Sequence, residues 1–173
     1  CIDDRRLKRA AVLLPLFNQA GKYHILFTRR TDKVQHHKGQ ISFPGGRQDK
    51  KDKDLLTTAL REAREEMGIE EKDVRILGEL DDICTATTAF CISPFVALIP
   101  HPYPLKVNRQ EIEEVIEVPL SLLLDSRKFR QELHEKDGQP FRVYFYQHKD
   151  HTIWGATARI LKQLLELLPE TDQ

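Results

Sequence analysis

The stretch from Phe43 to Ile69 reads FPGGRQDKKDKDLLTTALREAREEMGI, a glycine pair followed by a charged loop and a helical pattern. Between Asp54 and Met67 the apolar residues recur every three or four positions, which is typical of an amphipathic helix. Gly68 then supplies the usual stop signal. The spacing predicts a helix over residues 54–67 with its apolar stripe against a core.

The same helix carries three glutamates on one face. At 3.6 residues per turn they share an arc of roughly 100° beside the apolar stripe. They are Glu62, Glu65 and Glu66. Because like charges at this spacing repel, the face is either a solvated surface laced with salt bridges or a site for cations. Neighbouring features favour the cation site: Gly45 and Gly46 let backbone approach a ligand, Arg61 can hold a carboxylate, and oxygen ligands suit Mg²⁺ or Mn²⁺.

The composition of the chain limits which partners and which cell compartment are expected. The 173 residues include 31% charged residues and have a formal net charge of zero. This length fits one domain over residues 1–173, and the neutral balance argues against nucleic-acid or membrane partners. The longest apolar run, Ala10 to Phe17, is too short to span a bilayer. The three cysteines Cys1, Cys84 and Cys91 leave one unpaired, which favours a reducing compartment over a disulfide framework and predicts a cytoplasmic location.

Strand patterns lie on both sides of the helix. In chain order they cover Arg9–Phe17, Tyr23–Arg30, the short ISFPGG segment, Val74–Leu80, Cys91–Pro100, Glu113–Leu120, Phe141–His148 and His151–Gly155. A second long helix is predicted from Ala156 to Leu168, ended by Pro169. Because strands outnumber long helices, we predict an α/β (α+β) fold, a helix/sheet/helix sandwich around a mixed β-sheet.

The glycine pair and the segment REAREEMGI resemble the Nudix box of the Nudix hydrolases. The matching residues, in order, are Gly45, Gly46, Arg61, Glu62, Glu65, Glu66, Gly68 and Ile69. The resemblance implies a Nudix fold and metal-dependent cleavage of a diphosphate linked to another moiety. The loop departs from the usual box, since Asp52 stands where a glutamate is normal and one extra residue precedes Arg61.

A second resemblance concerns the substrate. LFTRRTDKVQHHKGQISFPGG, from Leu26 to Gly46, is similar to the segment before the box in the coenzyme A diphosphatase branch of the family. The extra loop residue also occurs in that branch, and IWGATARIL, from Ile153 to Leu161, looks like the start of its C-terminal helix. One departure is Gln35, where the branch usually has arginine. The branch implies hydrolysis of coenzyme A to 3'-phosphoadenosine 5'-phosphate and 4'-phosphopantetheine.

The family resemblance also implies roles for individual residues. Glu62, Glu65 and Glu66 would hold Mg²⁺ or Mn²⁺, and a backbone carbonyl near Gly46 would join them. Arg61 would orient one of the box glutamates. The general base is either a box glutamate or an acid from the segment NRQEIEEVIEVP, whose candidates are Glu111, Glu113 and Glu114. We favour Glu111, and the alternative for this segment is an exposed, charged edge strand.

Substrate phosphates call for local positive charge in an otherwise neutral chain. The basic residues before the box that can supply it are Arg29, Arg30, Lys33, His36, His37 and Lys38. His37 and Gln40 match the coenzyme A branch motif, and Gly45 allows close backbone approach. The predicted substrate-binding residues are therefore Arg29, Arg30, His37, Gln40 and Gly45.

Two alternatives stay open. The chain could be a Nudix hydrolase of another nucleoside diphosphate derivative, such as ADP-ribose, a dinucleotide or an oxidised nucleotide. It could also be a ligand-binding module without catalysis, although such a module would be expected to have lost the box carboxylates. A homodimer is also compatible with the sequence.

Overall fold

The computed structural model describes residues 7–31, 39–85, 89–136 and 138–168. Several residues singled out above therefore lie outside the described residues. They are Cys1, Lys33, Gln35, His36, His37, Lys38 and Pro169. The fold and the site below are built from the described ranges.

Eleven strands and three α-helices occur in these ranges. The strands are β1 (Lys8–Gln19), β2 (Lys22–Arg30), β3 (Ile41–Ser42), β4 (Gly45–Arg47), β5 (Arg75–Glu79), β6 (Ile83–Cys84), β7 (Phe90–Leu98), β8 (Ile112–Pro119), β9 (Phe129–Lys136), β10 (Gln139–His148) and β11 (His151–Trp154). The helices are α1 (Leu55–Met67), α2 (Leu120–Leu123) and α3 (Gly155–Glu166). Short 3₁₀ turns cover Glu71–Asp73 and Ser126–Lys128.

The main sheet is mixed, as predicted. Its strands follow the order β3-β2-β1-β7-β5, with β4 beside β1, β6 beside β7 and β8 beside β2. Strands β1 and β7 run parallel, with Lys8 opposite Phe90, whereas the other pairs are antiparallel. The central strand β1 therefore receives the glycine segment β4 directly on its flank.

Each face of the sheet is covered by one long helix. Alternate residues of β1 point to opposite sides, so Leu13 packs with Ala63 and Met67 of α1 while Leu14 packs with Leu161 of α3. All of these side chains are fully buried. The predicted helix/sheet/helix sandwich is thus confirmed, and the core on one side holds α1 in place.

A second sheet of three strands, in the order β11-β10-β9, was predicted only in part. The hairpin of β10 and β11 was expected, but β9 was missed. Its sequence, FRQELHEK, has only two apolar residues, Phe129 and Leu133, and is mostly exposed, so it lacks the regular alternation that marks a half-buried strand. Strand β9 forms by pairing with β10 over eight residue pairs.

The prediction about cysteines is wrong for two of them. Cys84 and Cys91 are joined by a disulfide, because they lie directly opposite each other on the paired strands β6 and β7. They are seven positions apart in sequence, and the pairing of these strands brings them together. The cysteine count therefore no longer argues for a reducing compartment. No helix in the described ranges has the length and apolarity needed to cross a membrane.

Candidate active site

Helix α1 has well-defined ends that fix where its side chains point. At its start the Asp54 carboxylate accepts a hydrogen bond from the Thr57 amide at 2.7 Å. At its end Gly68 adopts a left-handed conformation with φ of 71°, and its amide donates to the Arg64 carbonyl at 2.9 Å. The core packing of Ala63 and Met67 fixes the rotation of the helix about its axis. Its carboxylates therefore project from a rigid element.

The three predicted carboxylates differ in their exposure. The Glu66 side chain is 3% exposed, that of Glu62 is 18% exposed and that of Glu65 is 51% exposed. Glu66 accepts hydrogen bonds from the Gly45 amide at 3.2 Å and from Arg30 Nη1 at 3.3 Å. The helix thus presents a buried carboxylate on Glu66, a largely buried one on Glu62 and an exposed one on Glu65.

Burial dominates the electrostatics of Glu66. Loss of hydration raises the pKa of its carboxyl to about 8, against the opposing effects of Arg30 and of the Gly45 amide. The nearby charges of Glu62 and Glu111 raise the pKa further. Burial also raises the pKa of Glu62. Glu66 therefore needs additional positive charge to be stable as a carboxylate near neutral pH.

Arg61 holds the exposed end of this face together. Its Nη1 atom donates to Glu62 at 2.8 Å and to Glu65 at 3.1 Å. Its Nε and Nη2 atoms donate to the two oxygens of Asp52, each at 2.9 Å, which is the forked geometry that arginine favours. The paired guanidinium lowers the pKa of Asp52 well below its usual range. Arg61 therefore connects a buried anchor to two candidate metal ligands.

This role of Asp52 was not predicted, because Asp52 was noted in the sequence only as a departure from the usual loop of the box. Its side chain is 3% exposed and also accepts hydrogen bonds from the Asp49 amide and the Thr58 hydroxyl, each at 2.9 Å. A carboxylate with four such donors is an acceptor of fixed position. Asp52 thus replaces the usual glutamate of the loop with a shorter acid that still reaches Arg61.

We predict that Asp52→Asn lowers kcat/KM about tenfold, since loss of a residue that orients a metal ligand has an effect of this order. An asparagine side chain has only one oxygen to accept a hydrogen bond, so Arg61 loses one of its two bonds to residue 52. Asp125→Asn, which alters a partly buried acid outside the site that also pairs with an arginine, serves as the control. Equal kcat/KM values for the two variants would show that the bonds between Asp52 and Arg61 do not contribute to catalysis.

The two glycines of the box lie where side chains would collide. A Cβ atom on Gly45 would stand 2.3 Å from the Ala11 carbonyl oxygen of β1. A Cβ atom on Gly46 would stand 2.5 Å from the Glu62 carboxylate. Gly45 therefore lets β4 pack against β1, whereas Gly46 lets the backbone of β4 approach the Glu62 carboxylate closely.

Glu111 lies at the same site, on the loop before β8. One of its carboxylate oxygens is 3.6 Å from Arg30 Nη2, and the other accepts a hydrogen bond from Asn108 Nδ2 at 3.2 Å. Arg30 thus stands between Glu66 on the helix and Glu111 on the loop. In the same guanidinium Nε is buried and has no hydrogen-bond partner among the described residues.

The other predicted phosphate contacts divide between two places. Arg30 reaches the carboxylates of α1, but Arg29 is bonded to Glu114 at 3.0 Å and lies 3.5 Å from Glu113. Glu114 in turn lies 3.4 Å from His151 of β11. Adjacent residues of a strand point to opposite faces, so the two arginines diverge. Gln40 contributes its carbonyl to the turn by accepting from the Arg30 amide at 3.1 Å.

The donor set fits a hard divalent cation. Among the described residues, no three acidic, histidine or cysteine side chains are already gathered around one point. Arg30 and Arg61 instead donate hydrogen bonds to the carboxylates of Glu66 and Glu62. The ligands on offer are all oxygens, as Mg²⁺ and Mn²⁺ prefer. The close approach of the Gly46 backbone to the Glu62 carboxylate and the burial of Glu66 are further features that a cation would complement.

Comparison with known proteins identifies the family. The NUDIX domain model matches residues 7–142. The uncharacterized Nudix hydrolase NudL of Photorhabdus laumondii is 40% identical over 92% of this chain and 84% of its own length. NudL of Yersinia pestis strain Pestoides F is 35% identical over 92% of this chain and 79% of its own length. The chain belongs to the Nudix hydrolase family, and it is an enzyme that hydrolyses the diphosphate bond of a nucleoside diphosphate derivative.

Solved structures agree with this fold. An Ap4A hydrolase of C. elegans in a binary complex superimposes with a TM-score of 0.56 at 20% identity, over 66% of this chain and 82% of that chain. The Nudix hydrolase RenU of M. smegmatis has a TM-score of 0.56 at 20% identity, over 69% and 74% of the two chains. Nudix hydrolases generally use divalent metals such as Mg²⁺ or Mn²⁺.

Proposed function

We propose that this Nudix hydrolase cleaves the diphosphate of coenzyme A and its derivatives, giving 3'-phosphoadenosine 5'-phosphate and 4'-phosphopantetheine. The observation that carries the proposal is the segment from Leu26 to Gly46, which is similar to the motif of the coenzyme A diphosphatase branch. The box helix specifies the reaction, whereas this preceding segment specifies the substrate.

Contacts between the motif segments support the proposal. Arg30 and Gly45, from the two ends of the substrate motif, both bond to Glu66 of the box helix, at 3.3 and 3.2 Å. The hydroxyl of Thr157, from the motif at the start of α3, donates to the carbonyl of Ile41 at 3.1 Å. The segment from Leu26 to Gly46 therefore contacts both the box helix and the start of α3, although α3 is far from it in sequence.

Glu62, Glu65 and Glu66, with a backbone carbonyl near Gly46, are the residues proposed to hold Mg²⁺ or Mn²⁺. Such ions neutralise the charge of the diphosphate and lower the pKa of bound water. The polypeptide supplies orientation: Arg61 fixes the carboxylates of Glu62 and Glu65.

Glu111 is the proposed general base, which would take a proton from the attacking water. Its carboxylate is 43% exposed, so water can reach it, and Arg30 and Asn108 hold its two oxygens. A base must lie within hydrogen-bond reach of the proton that it removes. Glu111 meets this requirement if the diphosphate binds between the loop before β8 and the helix α1.

The 3'-phosphate of coenzyme A needs positive charge at a distance from the diphosphate. Arg29 is the proposed contact, since it diverges from Arg30 and its side chain is one-third exposed. A phosphate there would compete with Glu113 and Glu114 for the guanidinium. His37, Gln40 and Gly45 complete the proposed substrate contacts.

Product analysis with coenzyme A tests the substrate. The purified protein with Mn²⁺ is expected to release 3'-phosphoadenosine 5'-phosphate and 4'-phosphopantetheine, and Glu65→Gln is expected to lower the rate. The same incubation without metal controls for metal dependence. Intact coenzyme A in the presence of Mn²⁺ would contradict the proposal.

The alternative is another nucleoside diphosphate derivative, and it is favoured by Gln35, which replaces the arginine usual in the coenzyme A branch. A panel of coenzyme A, ADP-ribose, a dinucleotide and an oxidised nucleotide separates the two, because specificity is the ratio of kcat/KM values. The highest value for coenzyme A supports the proposal. Nucleotide binding without turnover of any substrate would instead indicate a ligand-binding module.

A further inference from the structure

The loop that carries Glu111 is fastened to the end of the box helix. The amide of Lys106 donates to the carbonyl of Met67 at 2.8 Å, and the amide of Asn108 donates to the carbonyl of Glu66 at 2.9 Å. Carbonyls in the last turn of a helix lack partners within the helix, so these two amides supply the donors that the carbonyls need. The backbone position of Asn108 is therefore set by the helix that carries the candidate metal ligands.

The side chain of Asn108 is fixed by a second set of bonds. Its Oδ1 atom accepts from the Gln110 amide at 3.1 Å, which closes a local turn. Because a backbone amide can only donate, this contact assigns the oxygen of the side-chain amide. The nitrogen Nδ2 therefore faces Glu111 and donates to its Oε1 atom at 3.2 Å.

The main chain of Asn108 strengthens this arrangement. Its carbonyl accepts from the amides of Glu111 and Ile112, at 3.1 and 2.9 Å. One residue thus contacts the helix through its amide and Glu111 through both its carbonyl and its side chain. The other oxygen of Glu111 has the longer contact, 3.6 Å from Arg30. Among the contacts of the Glu111 carboxylate, the Asn108 amide has the better hydrogen-bond geometry.

We propose that Asn108 is a positioning residue that orients the Glu111 carboxylate relative to the carboxylates of α1. This inference rests on the proposed function, in which Glu111 is the general base. Displacing a general base by about 1 Å can lower the reaction rate about a hundredfold. The side-chain amide that fixes the rotamer of the base is therefore expected to affect the rate. The bond is expected to act on kcat, with little effect on substrate affinity.

A purely structural role for Asn108, as the closing residue of a turn, is the competing explanation. Asn108→Asp separates the two, because an aspartate still accepts from the Gln110 amide but cannot donate to Glu111. Asn108→Ser is a second variant, whose hydroxyl can close the turn but is too short to reach Glu111. The matched control is Asn18→Asp, since Asn18 accepts from the Gly21 amide at 3.0 Å in the turn between β1 and β2.

The test is a double-mutant cycle on kcat with coenzyme A and Mn²⁺. We expect Asn108→Asp and Asn108→Ser each to lower kcat about tenfold with KM changed less than about twofold, and Asn18→Asp to match the wild type. Glu111→Gln is expected to lower kcat more. In the Glu111→Gln background, Asn108→Asp is expected to lower kcat no further, because its effect passes through the carboxylate.

Several outcomes would overturn the inference. An unchanged kcat for both Asn108 variants would do so, as would an Asn108→Asp effect that persists in full in the Glu111→Gln background. If Glu111→Gln itself retains the wild-type kcat, Glu111 is not the base and the positioning role falls with it. Failure of the proposed substrate looks different: the wild type would then leave coenzyme A intact, and the cycle would be run on the substrate of the panel that it does cleave.

Discussion

Replacement of Glu66 by glutamine is expected to lower kcat/KM by about a hundred to a thousandfold, the cost usual for removing one group that stabilises transition-state charge. Glutamine keeps the shape and can accept from the Gly45 amide, but it cannot offer a charged oxygen to a cation. The buried position leaves little room for another ligand to take its place. The loss of activity therefore follows from the lost charge of this one oxygen ligand.

Activity with coenzyme A and Mn²⁺ measures this effect, with Glu166→Gln as the control. Glu166 is an exposed glutamate near the end of α3 and pairs with Lys162 of the same helix. If Glu66→Gln retains more than about a tenth of the wild-type kcat/KM, Glu66 is not required as a ligand.

Glu66 also makes the stability of the metal-free enzyme depend on pH. Its pKa is about 8 in the folded state and lies near 4.5 in the unfolded chain, so between these values the folded state binds the proton more tightly. The free energy of unfolding therefore falls as pH rises from about 4.5 to 8, by at most about 1.4 kcal/mol per pH unit. Glu66→Gln lacks this dependence. Chemical denaturation at pH 5 and pH 8 should thus show the variant gaining stability relative to the wild type at the higher pH.

The second large effect is expected for Gly46→Ala, which should lower kcat/KM about a hundredfold. The added methyl group would stand 2.5 Å from the Glu62 carboxylate, which must then move away. A shift of about 1 Å in a group of the site can cost this much in rate. Because the obstructed group is the end of a flexible side chain, the fold should tolerate the change.

Two other glycine variants serve as comparisons for Gly46→Ala. In Gly45→Ala the new methyl group meets the backbone of β1 at 2.3 Å, so this variant should lose about 1–3 kcal/mol of unfolding free energy. Gly78→Ala in β5 has open space around the new methyl group and should resemble the wild type. If Gly46→Ala keeps wild-type activity, or unfolds as readily as Gly45→Ala, the distinction between the two box glycines is wrong.

The sequence predicts the helix α1 and its ends well because those signals are local. The apolar spacing, Gly68 as a stop, and the preceding glycine pair each express a short-range rule of backbone geometry. The central strands β1 and β7 were also predicted, since both are buried and rich in apolar residues. The three box glutamates follow from the same helical arithmetic.

What the sequence does not reveal depends on contacts between distant segments. Asp52 reaches Arg61 across a loop, and Asn108 reaches Glu111 only after its own loop has docked on α1. Arg29 and Arg30 are neighbours in sequence, yet strand geometry sends them to different partners. The pairing of β9 with β10 likewise depends on register rather than on the hydrophobic pattern of β9.

Gly68 has a consequence beyond ending the helix. A side chain there would stand 2.7 Å from Lys106, so residues 69–105 leave the end of α1 and return to the same place. This segment includes β5, β6 and β7. The backbone bonds from Lys106 and Asn108 to the end of α1, which also hold the Glu111 loop, keep its two ends together. Insertions or deletions in its exposed turns would leave the spacing of Glu66 and Glu111 unchanged. Related proteins can therefore differ in the length of these turns while Glu66 and Glu111 keep the same relative position.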